Sequence, residues 1–273
     1  MSEALDIFLA TKKEIPDISY TLPGSGEEIF MRPFTTKEQK AILKALEKED
    51  HLLLSEAFDQ LLKNCVTNKD FNPDQLLSKD RECLLIKLRQ ESVKEEFIHN
   101  WKCGKCETSN THKINLSDIP FENVINKDSL KNKEITLRDR PITLILGMAN
   151  RGDEKKIFEH AKKNSATKDV SQAELINAAF AAIIKGIKIK KTRNVKDAQG
   201  NDNHIEEEVI LSLPFADRIK ILEDINIDDK NEIKKYLESV DKYGFALTLG
   251  TLKCKKCEAE SEETMEWLSF FMV

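Results

Sequence analysis

Two short stretches decide how this chain folds: Trp101-Lys102-Cys103-Gly104-Lys105-Cys106-Glu107 and Leu252-Lys253-Cys254-Lys255-Lys256-Cys257-Glu258. Each is a Cys-x-x-Cys bounded by alternating apolar residues. Phe97 and Ile98 precede the first, and Ile114 and Leu116 follow it. Phe245, Leu247 and Leu249 precede the second, and Met265 and Trp267 follow it. Strand, two-thiol turn, strand is the pattern of a zinc knuckle, in which turn amides point at the sulfurs. One knuckle supplies two ligands, whereas a structural Zn²⁺ takes four in a tetrahedron. The sequence therefore asks Cys103, Cys106, Cys254 and Cys257 to meet around one Zn²⁺ per chain. Four sulfurs leave no open coordination position, which describes a structural site and not a catalytic one.

Two other readings compete with zinc. Roughly 150 residues separate the pairs, far more than the usual spacing of a double Cys-x-x-Cys site. A metal-free ribbon and a redox dithiol both stay open. The redox reading is weakened because neither motif opens a helix after a buried strand, the setting that lowers a nucleophilic thiol's pKa. Lys105, Lys255 and Lys256 favour thiolates in either case.

Composition narrows the function classes. Of 273 residues, 40% are hydrophobic and 33% charged, enough apolar material for a real core beneath a well-solvated surface. A net charge of −5, from 48 acidic and 43 basic residues, argues against a dedicated nucleic-acid binder, which needs a basic face. No window approaches the roughly 20 apolar residues of a membrane span. The first residues, Met1-Ser-Glu-Ala-Leu-Asp6, lack the basic and apolar regions of a signal peptide. Six cysteines, four of them in paired spacing, suit a reducing cytosol better than a disulfide scaffold. Cys65 and Cys83 fall on apolar helix faces and read as buried thiols acting as small hydrophobes.

Along the chain, residues 1–14 are polar and read as a flexible N-terminus. Ile18–Leu22 and Glu28–Arg32 alternate around Pro23-Gly24-Ser25-Gly26, a hairpin signature. Thr35-Thr-Lys-Glu38 is a capping box. The helix it opens is followed by one carrying Leu54, Phe58, Leu61, Leu62 and Cys65 at helical spacing. A short helix starts at Pro73, and Ser78-Lys-Asp-Arg81 reads as the cap of another bearing Leu84, Leu85 and Leu88. The first knuckle closes this lobe, 15–119. Residues 120–132 are polar and turn-rich and read as a linker. In 133–273 the order recurs: strands at Ile135–Leu137 and Ile142–Leu146, helices from Asp153, Ser171, Leu213 and Lys230, then the second knuckle. The expected fold class is thus α+β, with two similar lobes stapled by a split four-cysteine ribbon, and an old duplication would explain the repeat.

Two segments of the second half stand apart. Lys185–Arg193 alternates apolar and basic residues, and His204–Leu211 is acidic. The plain reading is a hairpin whose charges pair across strands; a phosphate-binding stripe would call for interleaved aromatics, which are absent. The tail is apolar, and Trp267, Phe270 and Phe271 are candidate partner-binding residues unless they dock on the chain's own core. No phosphate-cradling glycine loop, nucleophile elbow or His-Glu-x-x-His helix is present. The five histidines are scattered, and His112 lies close after the first knuckle, where it could replace a sulfur.

The order and wording of several segments resemble the baseplate hub and hub-assembly proteins of T-even-like contractile-tailed phages. The resemblance rests on Tyr20-Thr-Leu-Pro23, Ile29-Phe-Met-Arg-Pro-Phe34, Lys37-Glu-Gln-Lys40, the Ala57–Cys65 helix, Leu84-Leu-Ile-Lys-Leu-Arg-Gln-Glu-Ser-Val93 and Leu268-Ser-Phe-Phe271. It implies a non-enzymatic baseplate component or assembly factor, made in the host cytoplasm and acting through other tail proteins, with no catalytic residues. A zinc-ribbon nucleic-acid binder and a dithiol oxidoreductase are the alternatives from other classes.

Overall fold

The computed structural model describes residues 17–264 apart from 49, 94–95, 120, 123–129, 165–171, 197–201, 241–242 and 246–247, together with residues 4, 10 and 11. It is an α+β protein in which helices pack on several small antiparallel sheets. Strands β1 (Ile18–Thr21) and β2 (Glu28–Met31) form the first hairpin. Helix α1 (Thr36–Leu46) starts on the capping box read from sequence, with the Thr35 amide donating to Glu38 Oε2. Helix α2 (His51–Cys65) is capped by Asp50, which accepts from the amides of Leu52 and Leu53. Helix α3 (Ser78–Ser92) departs from expectation. Its N-cap is Leu77, with no side-chain cap bond, and the Ser78 amide donates instead to Ala149 O. Asp80, free of capping duty, turns to the β1–β2 turn and accepts from the amides of Gly24 (2.7 Å) and Ser25 (2.8 Å).

That turn is a tight place. Asp80 is fully buried, and a Cβ added at Gly24 would stand 2.3 Å from Tyr243 Oη and 2.8 Å from Asp80 Oδ1. Both neighbours are themselves held by packing, so neither can withdraw freely. Gly24→Ala should therefore destabilise the protein by about 1–3 kcal/mol, the usual cost of overpacking. Urea unfolding checks it; a midpoint equal to wild type would show that the turn relaxes without strain.

After α3 come β3 (Glu96–Lys102) and β4 (Ser109–Asn115), paired over seven positions, and the two-residue β5 (Phe121–Glu122). A four-stranded sheet then takes β6 (Lys133–Thr136), β7 (Ile142–Leu146), β8 (Ile184–Lys196) and β9 (Asp202–Ser212) in that spatial order. Helices α4 (Arg151–Asn164), α5 (Gln172–Ile183), α6 (Phe215–Asp224) and α7 (Ile227–Val240) accompany it. The chain continues through β10 (Gly244–Phe245) to β11 (Thr248–Lys253) and β12 (Glu260–Thr264). Apolar packing gathers in three places. One cluster runs from Leu22 to Ile119, a second from Ile135 to Val240, and a small third surrounds the knuckles. Cys65 and Cys83 are 0% and 1% exposed, the small-hydrophobe role expected of them, and burial pushes both thiols up to about 12.

The first two clusters meet through contacts that periodicity cannot reveal. The Arg151 amide donates to Leu76 O, and Leu77 bridges Asn150. Strand β5, inside the stretch read as polar and turn-rich, pairs with β10, and Phe121 meets Phe245 edge-on at 4.9 Å. Between α2, α3 and α4 lies a buried charge cluster. The Asp59 carboxylate accepts from Arg81 Nε (2.9 Å) and from Arg151 Nε (3.0 Å), and Lys155 Nζ stands 3.3 Å away. Lys155 also pairs with Asp74.

Candidate metal centre

The β3–β4 and β11–β12 hairpins end in the same two-thiol turn. In the first, the Cys103 amide donates to Thr108 O (3.0 Å) and the Glu107 amide to Cys103 O (2.8 Å). In the second, the Cys254 amide donates to Ala259 O (2.9 Å) and the Glu258 amide to Cys254 O (3.0 Å). The residue after each second cysteine is left-handed, with φ 56° at both Glu107 and Glu258. Non-glycine residues adopt that region sparingly. Its use at equivalent places shows one backbone solution adopted twice.

The two turns face each other. All four Sγ atoms lie within 4.8 Å of one another. Cys103 and Cys257 are 3.6 Å apart at sulfur, as are Cys106 and Cys254. A disulfide would need about 2.05 Å, so these are free thiols brought together. Bonds of about 2.3 Å in a regular tetrahedron place sulfurs about 3.8 Å apart, close to the 3.6 Å of these two pairs. The four residues singled out from sequence thus form a group that can hold a metal ion. His112 is exposed, sits opposite His99 in the β3–β4 register and is not part of the group.

The surroundings favour thiolate at Cys254 and Cys106. The amides of Cys257 and Lys256 point at Cys254 Sγ and, with Cys106 and Asn110, lower its pKa to about 6. The side chain and amide of Thr108 lower Cys106. At Cys257 the Ala259 amide pulls downward, but contacts with Cys106, burial, and contacts with Cys103 and Cys254 outweigh it and push the thiol up to about 11.

Trp101, Cys103 and Cys254 are buried, with Leu252 and Ala259 packed on them, so the site has its own apolar cover. Two polar links lock the hairpins together. Asn110, 4% exposed, accepts from the Lys255 amide at 3.0 Å and donates to Thr108 O at 2.9 Å, with its amide nitrogen 3.7 Å from Cys254 Sγ. His99 Nε2 lies 3.3 Å from Glu263 Oε2. Reading the sequence missed both; the available signal was a polar side chain at an inward position of a strand, His99 in β3 and Asn110 in β4. The remaining candidates, Trp267, Phe270 and Phe271, fall outside the described residues.

With the fold and the thiol cluster in place, comparison with known families is informative. The family model described as "T4 bacteriophage base plate protein" matches residues 15–273. The chain belongs to this family of T4-like phage baseplate proteins, as the resemblance implied. No curated protein and no solved structure matches it. Among the described residues, no helix is long and apolar enough to cross a membrane.

Proposed function

We propose that this chain is a non-enzymatic structural or assembly component of the phage tail baseplate hub, working through protein–protein contacts and stabilised by one structural Zn²⁺. The family match over nearly the whole chain carries the baseplate role. The cluster of four sulfurs within 4.8 Å of one another supports the metal, since four thiolates with no open position suit zinc as a structural ion. Cys103, Cys106, Cys254 and Cys257 would hold it, Asn110 would orient the second turn, and Trp101 and Leu252 would keep water off the sulfurs. The ion would supply cohesion between two segments far apart in sequence. On this reading 15–119 and 133–273 are two lobes of common descent, 120–132 joins them, and the metal staples their ends. Trp267, Phe270 and Phe271 are the proposed contacts for other tail proteins.

The test is capture from lysate of infected cells on the full-length protein, with the bound chains identified. Other baseplate or tail proteins are expected, and Trp267→Ala with Phe270→Ala should reduce their yield. Retrieval of no tail component sinks the assembly role.

A further inference from the structure

The β8–β9 hairpin reaches beyond the sheet that anchors it. Strand β7 accompanies β8 only from Ile184 to Ile189, whereas β8 and β9 stay paired out to Lys196↔Asp202. Seven residue pairs, from Lys190↔Glu208 outward, therefore form a two-stranded arm of roughly 20 Å at about 3.3 Å per residue. Among the described residues β9 pairs with β8 alone, so its outer edge is open along its length. The apolar alternation stops where the arm leaves the sheet. Ile187 and Ile189 face Leu211 and Val209 across the ladder, and the next positions on that face are Lys191↔Glu207 and Arg193↔Ile205. From Lys190 to Thr192 and from Glu206 to Glu208 the arm carries no apolar residue on either face, and a lone two-stranded ribbon is marginal in water.

Its charges are sorted by strand. From 190 to 196, β8 carries Lys190, Lys191, Arg193 and Lys196 with no acid; from 202 to 208, β9 carries Asp202, Glu206, Glu207 and Glu208 with no lysine or arginine. Pairing inside the arm does not use them up. Lys190 and Glu206 approach only to 3.9 Å, and their side chains stay 69% and 68% exposed. Charged edges ordinarily block strand pairing, but these block selectively. Two β9 edges would set acid against acid, and two β8 edges base against base, both unfavourable across a ladder. Only β9 against β8 is complementary.

From this geometry we infer that the arm is a self-association element: the acidic outer edge of β9 in one copy pairs with the basic outer edge of β8 in a second copy of this chain, head to tail. Such a contact is heterologous, and it closes into a ring or runs on as a chain of subunits instead of stopping at a two-fold dimer. The inference goes beyond the baseplate role and does not depend on the metal.

Sedimentation velocity of the full-length protein across concentration tests it. Wild type should associate at low salt and revert to monomer near about 1 M salt, where screening reaches about 3 Å. Lys190→Glu with Lys191→Glu, or Glu207→Lys with Glu208→Lys, should each raise the dissociation constant at least roughly tenfold. An equimolar mixture of those two variants should assemble again, because every β9–β8 contact between them is complementary. All four substitutions in one chain restore both the cross-strand pairs within the arm and the complementary outer edges, and should restore self-association. A wild type that stays monomeric at low salt overturns the inference. So does association that survives either reversal, or a mixture or four-fold variant that stays monomeric.

Discussion

Asp59→Ala is expected to cost about 3–5 kcal/mol, the loss seen when one member of a buried ion cluster is removed. The reason lies in what it leaves behind. Arg81 and Arg151 are 8% and 0% exposed, and both guanidiniums are directed at this one carboxylate. Burial already pulls the Arg81 pKa down, with Asp59 opposing it. Arg151 Nη2 has no hydrogen-bond partner among the described residues, and beyond Asp59 its guanidinium keeps only the Glu154 carboxylate, 3.2 Å from Nη1. Total stabilities run to about 5–15 kcal/mol, so the variant should lose a large share of its stability and melt at a clearly lower temperature. Asp59→Asn keeps the volume and one acceptor but not the charge, and should fall between. Thermal unfolding followed by circular dichroism measures both, and a loss below about 1 kcal/mol for Asp59→Ala would mean that water or Glu154 takes over the carboxylate's role.

The second large effect concerns the thiol cluster. Cys254→Ser should abolish stoichiometric zinc, expected at about one per chain in wild type by elemental analysis. Apparent binding free energies of structural zinc are about 10–16 kcal/mol in small zinc domains. Removing a ligand, or adding a chelator to wild type, should therefore lower the melting temperature markedly. Asn110→Ala should leave the four sulfurs in place yet weaken zinc by about 10–100-fold, the usual penalty for losing an outer partner. A wild type that melts at the same temperature with and without chelator would favour the metal-free ribbon.

Much of this architecture was readable from residue order. Alternation around Pro23–Gly26 gave the first hairpin, and Thr35-x-x-Glu38 marked the start of α1, because these signals are local and each rests on a few neighbouring side chains. The cysteine pairs pointed to a shared centre, since two ligands apiece leave a tetrahedron half built. What escaped was long-range. The Asp59–Arg81–Arg151 cluster joins residues up to 92 positions apart, and nothing in α2, α3 or α4 taken singly says that their charges face one another. The β5–β10 pairing is two residues long, too short to leave a period. Ser78 looked like a cap because its type suits one; both its hydroxyl and its amide donate instead to Ala149 O.

The distance along the chain between the two thiol pairs has a temporal side. Cys106 and Cys254 are 148 residues apart, so at about 5–20 residues per second the ribosome makes the first pair roughly 7–30 s before the second. Throughout that interval Cys103 and Cys106 can offer a metal only half a cage, and the Leu252 and Ala259 side chains that cover the cluster are not yet made. Maturation of the centre is therefore a late event, gated by elongation, and a reducing milieu during synthesis matters more to this protein than one afterwards.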